Sequence, residues 1–401
     1  MHGHDLQWCI SSKEWSRRDA LTLGGVGLAT LSLRSVACHA ALGGPLDPEL
    51  SIGEALVEMI DGELVYAWAF GDPRRGPSVP GPVLEAFAGQ ELQVTVTNTL
   101  STPHAFAVLG TPIATKPIAP GATETLTFRA PPAGTYLYVD PLSAPVNRLM
   151  GLHGAMVVLP EERAGTPYSA PTPAVARLFG DLGTTEHFPG EPWQSDRSRV
   201  WLFGSVDLRL PDSISRGATF DMNEFLPGYF TINGLSGAFA SHDPETIPKG
   251  RLGEPHLVRI LNAGMAAHSP HFHANHVYVL ARNNVVQENV VLVDSFTVGP
   301  TERVDVLLPF MRPPDVAGDP QTPLRDLVKH ELGMRLGTPQ RPLAYPMHCH
   351  MEMSQTAAGG NYPQGLVTHW EITGDLDGVD FPESELESQS TGGDRHDHSS
   401  H

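Results

Sequence analysis

The sequence has little basic charge, few cysteines and few aromatic residues. Lys and Arg (26) are outnumbered by Asp and Glu (45), which leaves a formal charge of −19. A chain with this excess of acid lacks the basic face that nucleic-acid phosphates or an anionic membrane surface would require, so no nucleic acid and no stable membrane insertion are expected. Strongly periodic helical stretches are also rare, and Gly (40) and Pro (37) are abundant. This combination favours many short strands joined by turns.

The 3 cysteines exclude a framework of disulfide bonds. Cys9 and Cys38 lie in or beside an N-terminal leader, so Cys349 is expected to be the one thiol of the mature chain. A single thiol in an oxidising compartment is a liability unless it is buried or bound to a metal. Cys349 is therefore a candidate metal ligand.

Long hydrophobic runs are missing as well. The apolar run 21–33 has about 13 residues, too few to cross a bilayer as a helix but suited to the core of a signal peptide. Arg17 and Arg18 precede it, and paired arginines in this position indicate a twin-arginine export signal. We expect residues 1–40 to be a signal peptide, cleaved between about 35 and 41, and the mature protein to be periplasmic or extracellular. Lipidation at Cys38 is the alternative, disfavoured because Ser35 stands where an apolar residue is expected.

The rest of the sequence predicts two β domains. From 50 to 160, short β-rich runs alternate with Pro and Gly turns, which is typical of a small sandwich. Residues 161–195 are expected to be a linker, and 196–375 a second β domain. The acidic tail 376–401, which contains histidines, cannot bury much apolar surface and is expected to be disordered.

Two dense groups of histidine mark the second domain. One contains His268, His271 and His273, and the other is His348-Cys349-His350. In an extended segment successive side chains point to opposite faces, so His348 and His350 share one face while Cys349 points to the other. His271 and His273 share a face by the same rule, and His268 would tend toward the opposite one. One strand thereby serves two metal sites.

The residue types favour copper. A soft thiolate with imidazoles selects copper over hard cations, and zinc, which shares these ligands, gains nothing from a cysteine bonded between two histidines. The pattern predicts a mononuclear Cys/His copper on one face and a His-rich copper cluster on the other. Electrons captured at Cys349 could then pass through the backbone to His348 or His350.

These motifs resemble those of the multicopper oxidases. The segment His268-x-x-His271-x-His273 is similar to their H-x-x-H-x-H element, and 348–350 to their H-C-H element. The resemblance covers about 55–372 and implies an all-β fold of two cupredoxin-like Greek-key β-sandwich domains. It implies that His268 and Cys349 are type 1 copper ligands, that His271 is a type 2 ligand, and that the type 3 ligands are His273, His348 and His350.

The chain departs from the family pattern beside Cys349. The family has a further type 1 histidine five residues after the cysteine, where this chain has Ser354. The loop 355–364 that follows is longer than usual. Met351 or Met353 could supply a soft thioether in its place, or could simply pack in the core. An intense blue type 1 spectrum is therefore not expected.

The first domain departs further. The family's H-W-H element is replaced by His104-Ala105-Phe106, and its H-S-H element by 139–141, which reads Val-Asp-Pro. Half of the family's three-copper ligand set is therefore missing, with His104 as the one remnant. His153 occupies a strand position that is usually apolar or aromatic in the family, and we expect it to be structural.

These observations predict a copper-binding oxidoreductase, with Cys349, His348 and His350 carrying the electron transfer and a small molecule or metal ion as substrate. A non-catalytic copper carrier on a degenerate oxidase scaffold is the alternative. A nitrite-reductase-like enzyme is disfavoured, because its type 1 cysteine would belong in the first domain. Two-domain relatives commonly form trimers, so a homotrimer is expected by analogy.

Overall fold

The strands of the first half form two sheets that pack face to face. The structure is a computed structural model, and it describes residues 47–160, 165–314, 316, 319, 322–326 and 343–381. The first nine strands are β1 (Glu49–Glu58), β2 (Leu64–Asp72), β3 (Gly76–Pro77), β4 (Gly81–Phe87), β5 (Glu91–Asn98), β6 (Ala107–Val108), β7 (Thr123–Arg129), β8 (Gly134–Val139) and β9 (His153–Leu159). Their order is β3-β2-β1-β5-β7 in one sheet and β4-β9-β8-β6 in the other. A short helix, Val146–Leu149, precedes β9.

Alternating hydrophobicity explains the strands of this half. In β5, Leu92, Val94 and Val96 are buried, and the polar residues between them are exposed or half-buried. Such alternation is expected of a strand with one face on the core. The buried residues of both sheets join in one apolar core that includes Phe70 and Phe106.

The second half repeats this two-sheet arrangement. Its strands are β10 (Ser198–Val206), β11 (Tyr229–Ile232), β12 (Lys249–Gly250), β13 (His256–Asn262), β14 (Pro270–Phe272), β15 (Val277–Arg282), β16 (Val285–Val293), β17 (Arg303–Leu308), β18 (Leu343–Cys349) and β19 (Val367–Ile372). The sheet orders are β11-β10-β13-β17-β15-β16 and β12-β19-β18-β14. The helices of this half include Arg209–Ser215 and Ala238–Ser241, and single 3-10 turns lie at Met222–Glu224 and Glu352–Gln355. The expected all-β class, with two sandwiches, is confirmed.

Two segments outside the sandwiches carry structure of their own. Within the stretch expected to link the domains, Pro173–Asp181 form a helix that Thr172 caps by accepting a hydrogen bond from the Val175 N–H. At the start of the expected tail, Phe381 is buried in the core of the second sandwich. The expected signal peptide and the rest of the tail, 382–401, lie outside the described residues. No helix within the described ranges is both long and apolar enough to span a membrane.

A buried polar network joins the two sandwiches. Asp305 on β17 accepts hydrogen bonds from the Thr135 hydroxyl at 2.6 Å, the Tyr168 hydroxyl at 2.9 Å and the Arg259 guanidinium at 3.3 Å. Thr135 lies on β8 of the first sandwich, whereas Arg259 and Asp305 belong to the second. Because all these groups are buried, the contacts between the sandwiches are directional as well as apolar.

Candidate copper centre

Four histidines gather on one face of the β12-β19-β18-β14 sheet. The antiparallel pairing of β14 with β18 places His271 opposite His348. Alternation along each strand then brings His273 and His350 to the same side. We call these four residues the His face. His350 is exposed and the other three are half-buried, so the His face opens to solvent.

The imidazoles of the His face are close enough to share a metal ion. The ring centroid of His271 lies 4.6 Å from that of His350 and 4.7 Å from that of His273. The Nε2 atoms of His273 and His348 are 3.1 Å apart. Nitrogens that bind one metal at about 2 Å lie roughly 3 Å from each other, so this pair is already suitably spaced.

The His face is open and not a closed metal cage. Among the described residues, no three His, Cys, Asp or Glu side chains already surround a common point. Burial, with the neighbouring imidazoles, lowers the pKa of His271, and burial lowers that of His348. Both shifts favour the neutral imidazole, which is the form that binds metals. Imidazole nitrogen is a ligand that suits copper, so the donors fit this metal.

Cys349 and His268 form a second, buried pair on the other side of the same sheet. The Cys349 Sγ lies 3.8 Å from the His268 Nδ1, and neither residue is exposed to solvent. The rings of Phe203 and Phe230 pack edge-on against His268. Burial lowers the pKa of His268 to about 4. The opposite facing of Cys349 and its neighbouring histidines follows the strand alternation expected from the sequence.

The Ser354 hydroxyl contacts the sulfur of this buried pair. Its Oγ lies 2.9 Å from the Cys349 Sγ and 2.9 Å from the Met351 carbonyl oxygen. Backbone N–H groups of Ser269 and Met351 also donate to the sulfur, at 3.2 and 3.4 Å. Ser354 thus stands where the family pattern has a histidine, and its hydroxyl contacts the sulfur directly.

Met351 and Met353 were the expected sources of a thioether in place of the missing imidazole. The side chains of Met351 and Met353 are 48% and 54% exposed, so they lie at the surface and not in the core. Cys349 and His268 therefore offer two donors, which fits a type 1 copper with a full equatorial set poorly. The Nε2 atom of His268 is buried without a hydrogen-bond partner.

The two histidines of the first domain, His104 and His153, are hydrogen-bonded within that domain. His104 is buried, with its Nδ1 2.6 Å from the Asp140 Oδ2 and its Nε2 2.9 Å from the Thr102 Oγ1. Both of its ring nitrogens are therefore engaged. His153 is buried as well; its Nδ1 lies 2.8 Å from the Arg148 carbonyl oxygen, and burial lowers its pKa to about 4. Each histidine is held as a structural residue.

One acidic residue near the His face was not expected from the sequence. Asp294 follows β16, and its Oδ2 lies 3.7 Å from the His271 Nδ1. No motif or spacing in the sequence connects Asp294 with the histidines. Only the pairing of its backbone with β14, through a bond from the Phe272 N–H to the Asp294 carbonyl oxygen at 2.9 Å, brings the two together.

Comparison with known proteins finds similarity to multicopper oxidases and laccases. Residues 76–163 match the sequence model of the multicopper oxidase family. The chain is 26% identical over 256 residues to the multicopper oxidase MmcO of Mycobacterium tuberculosis, covering 58% of this chain and 47% of that protein. It is 23% identical over 243 residues to laccase-12 of Oryza sativa subsp. japonica, covering 57% of this chain and 38% of the laccase. The chain thus spans less than half the length of these curated relatives.

Solved structures share the fold. The blue copper oxidase of Nitrosomonas europaea superposes with a TM-score of 0.59 at 20% identity, covering 82% of this chain and 86% of that one. The copper nitrite reductase of the same organism gives 0.55 at 17% identity, with 85% and 98% covered. At these identities the likeness shows a common cupredoxin-like fold and does not distinguish the two activities. The matched segment 76–163 and the sequence relatives show that this chain is similar to multicopper oxidases, and the solved structures show that it shares their fold.

Proposed function

We propose that the chain is a copper-dependent oxidoreductase of the multicopper oxidase type whose principal copper site is the His face. The observation that carries the proposal is the convergence of its imidazoles from β14 and β18, with centroids as close as 4.6 Å. Copper bound there would alternate between its +1 and +2 states and so accept and release single electrons.

The proposed entry point for electrons is the buried pair on the opposite side of the sheet. Cys349 is bonded through the backbone to both His348 and His350, so the covalent path from the thiol to either imidazole is short. A small molecule or metal ion would be oxidised on the Cys349 side. Because the pair offers two donors, we propose that it binds copper more weakly than the His face.

The number of copper ions is proposed to be one or two at the His face. Reduction of dioxygen to water in this family uses a complete three-copper cluster, and half of that ligand set is replaced here. His104, the one remnant in the first domain, is engaged by Asp140 and Thr102. We therefore do not propose the full four-electron reduction for this chain.

Copper content of single variants tests the principal site. Replacing His271, His273, His348 or His350 by Ala should remove most of the bound copper, because each change removes an imidazole donor. Cys349→Ser should leave most of it in place. His242→Ala is the matched control, since His242 is exposed and its Nδ1 lies 2.7 Å from the Ala238 carbonyl oxygen. Loss of all copper in Cys349→Ser, or a strong blue band with full dioxygen reduction in the unaltered chain, would contradict the proposal.

A specific observation favours a second candidate, a copper carrier without catalysis. The Ser354 hydroxyl lies 2.9 Å from the buried Cys349 sulfur, where a second imidazole would be needed to complete a copper site that takes electrons from a substrate. Steady-state turnover separates the two candidates. The copper-loaded oxidoreductase should oxidise an electron donor repeatedly, whereas a carrier should exchange at most the electrons stored in its bound copper.

We also propose export by the twin-arginine route. This pathway carries folded proteins, which suits a chain that acquires a metal before it leaves the cytoplasm. Replacing Arg17 and Arg18 by Lys should trap the precursor in the cytoplasm, as shown by immunoblots of cell fractions. Unchanged export of this double variant would exclude the route.

A further inference from the structure

Asp294 lies beside the His face, on a segment outside the two histidine motifs, 268–273 and 348–350. It follows β16 directly, and the Phe272 N–H of β14 donates to its carbonyl oxygen at 2.9 Å. The neighbouring Ser295 forms a bridge with His271. These backbone contacts place Asp294 next to His271.

Hydrogen bonding orients the carboxylate. The Ser295 hydroxyl donates to the Asp294 Oδ1 at 3.2 Å, while the Oδ2 lies 3.7 Å from the His271 Nδ1. An aspartate carboxylate is an anion at neutral pH, and the Asp294 side chain is 49% exposed.

The negative charge of this carboxylate is significant because the four histidines of the His face carry no negative charge. Neutral imidazoles bring no negative charge to compensate a bound cation. A carboxylate that accepts a hydrogen bond from the second nitrogen of a ligating imidazole orients the ring and raises its basicity, and a small movement of the half-exposed Asp294 side chain would bring its Oδ2 from 3.7 Å to hydrogen-bonding distance of the His271 Nδ1. Its negative charge stabilises a divalent ion more than a monovalent one, since the interaction scales with the product of the charges.

We propose that Asp294 is a positioning residue of the His face that orients His271 and favours copper(II) over copper(I). The inference rests on the proposed function, because it requires copper at these histidines. Asp294 thereby adds to the site an anionic group from the segment after β16, and this charge creates a preference between the two oxidation states of copper.

Equilibrium copper affinities of the full chain test the inference. Asp294→Asn should weaken copper(II) binding by about 10-fold or more, the effect typical of partners to metal-bound histidines. Copper(I) binding should change by much less, so the ratio of the two dissociation constants should shift. Asp294→Glu should restore most of the copper(II) affinity, because it returns the charge. The EPR spectrum of bound copper(II) should change in Asp294→Asn and return toward the original in Asp294→Glu.

Glu288→Gln is the matched control. Glu288 lies on β16, six positions before Asp294, and is exposed. Glu288→Gln makes the same change in charge at a position away from His271. It should alter neither the copper(I) affinity nor the copper(II) affinity. Thermal unfolding of each metal-free variant checks that the fold is kept.

The outcomes separate this inference from the proposed function. If His271→Ala keeps the full copper content, the proposed function is overturned and this inference with it. If His271→Ala loses copper while Asp294→Asn keeps both affinities of the unaltered chain, only the role of Asp294 is overturned. An equal loss of copper(I) and copper(II) affinity in Asp294→Asn overturns the preference between oxidation states.

Discussion

The Nδ1 of His104 lies 2.6 Å from the Oδ2 of Asp140 in the interior of the first domain. Asp140 also accepts hydrogen bonds from the Asn147 side chain and the Leu142 N–H, both at 2.8 Å. These residues form a buried polar network in which Asp140 is the partner of His104.

His104→Gln should therefore leave the copper content unchanged. It should lower the free energy of unfolding by about 1–3 kcal/mol, because the buried Asp140 loses a partner. Copper analysis and denaturant unfolding of the same preparation measure the two effects. A fall in copper content comparable to that of His271→Ala would instead make His104 a ligand.

Asp305→Ala should destabilise the chain far more than the loss of a surface acid. It removes the acceptor of Thr135 and Tyr168 and leaves the buried Arg259 without its ion pair, a change that typically costs about 3–5 kcal/mol. Asp212→Ala, which breaks an exposed pair with Arg216, should cost about 1 kcal/mol or less. Equal denaturation midpoints for the two variants would show that the network between the sandwiches contributes little.

Stability should fall as the pH falls below the ordinary histidine range. Burial lowers the pKa of His256 to about 3 and that of His153 to about 4, against about 6.5 in an unfolded chain. The unfolded chain therefore binds protons that the folded chain excludes. Stability should be fully present above about pH 6.5 and decline toward pH 3 to 4, by roughly 3 kcal/mol or more for each group.

Denaturant unfolding between pH 7.5 and 4.5 measures this dependence. His256→Gln should flatten the curve, whereas His242→Gln, at an exposed position, should not. An unaltered slope in His256→Gln would show that other groups cause the loss.

Assembly can be tested on the same preparations. We propose a homotrimer in which the His face meets the first domain of a neighbouring subunit, because a closed ring buries this polar face better than a monomer can. The His face is open to solvent at His350, which leaves it available to a neighbouring subunit. Light scattering should give about three times the chain mass, with and without copper. A monomer under both conditions would rule the trimer out.

The sequence by itself determined which side chains belong to each face of the copper-binding strands. Alternation separates Cys349 from His348 and His350 whatever surrounds the strand, because the pleat has a period of two residues. The β class was equally readable, since buried runs such as β5 alternate with turns of Gly and Pro. These properties depend on neighbours in sequence.

The tertiary structure alone decided which groups complete each site. His271 faces His348 because of the antiparallel register of β14 with β18, and Asp294 reaches His271 through backbone contacts between segments that are 20 or more residues apart in sequence. Asp140 reaches His104 across 36 residues of sequence because the chain folds back on itself there. Such contacts between distant segments arise from packing and leave no periodic trace in the sequence, so local patterns could predict the donors but not their partners.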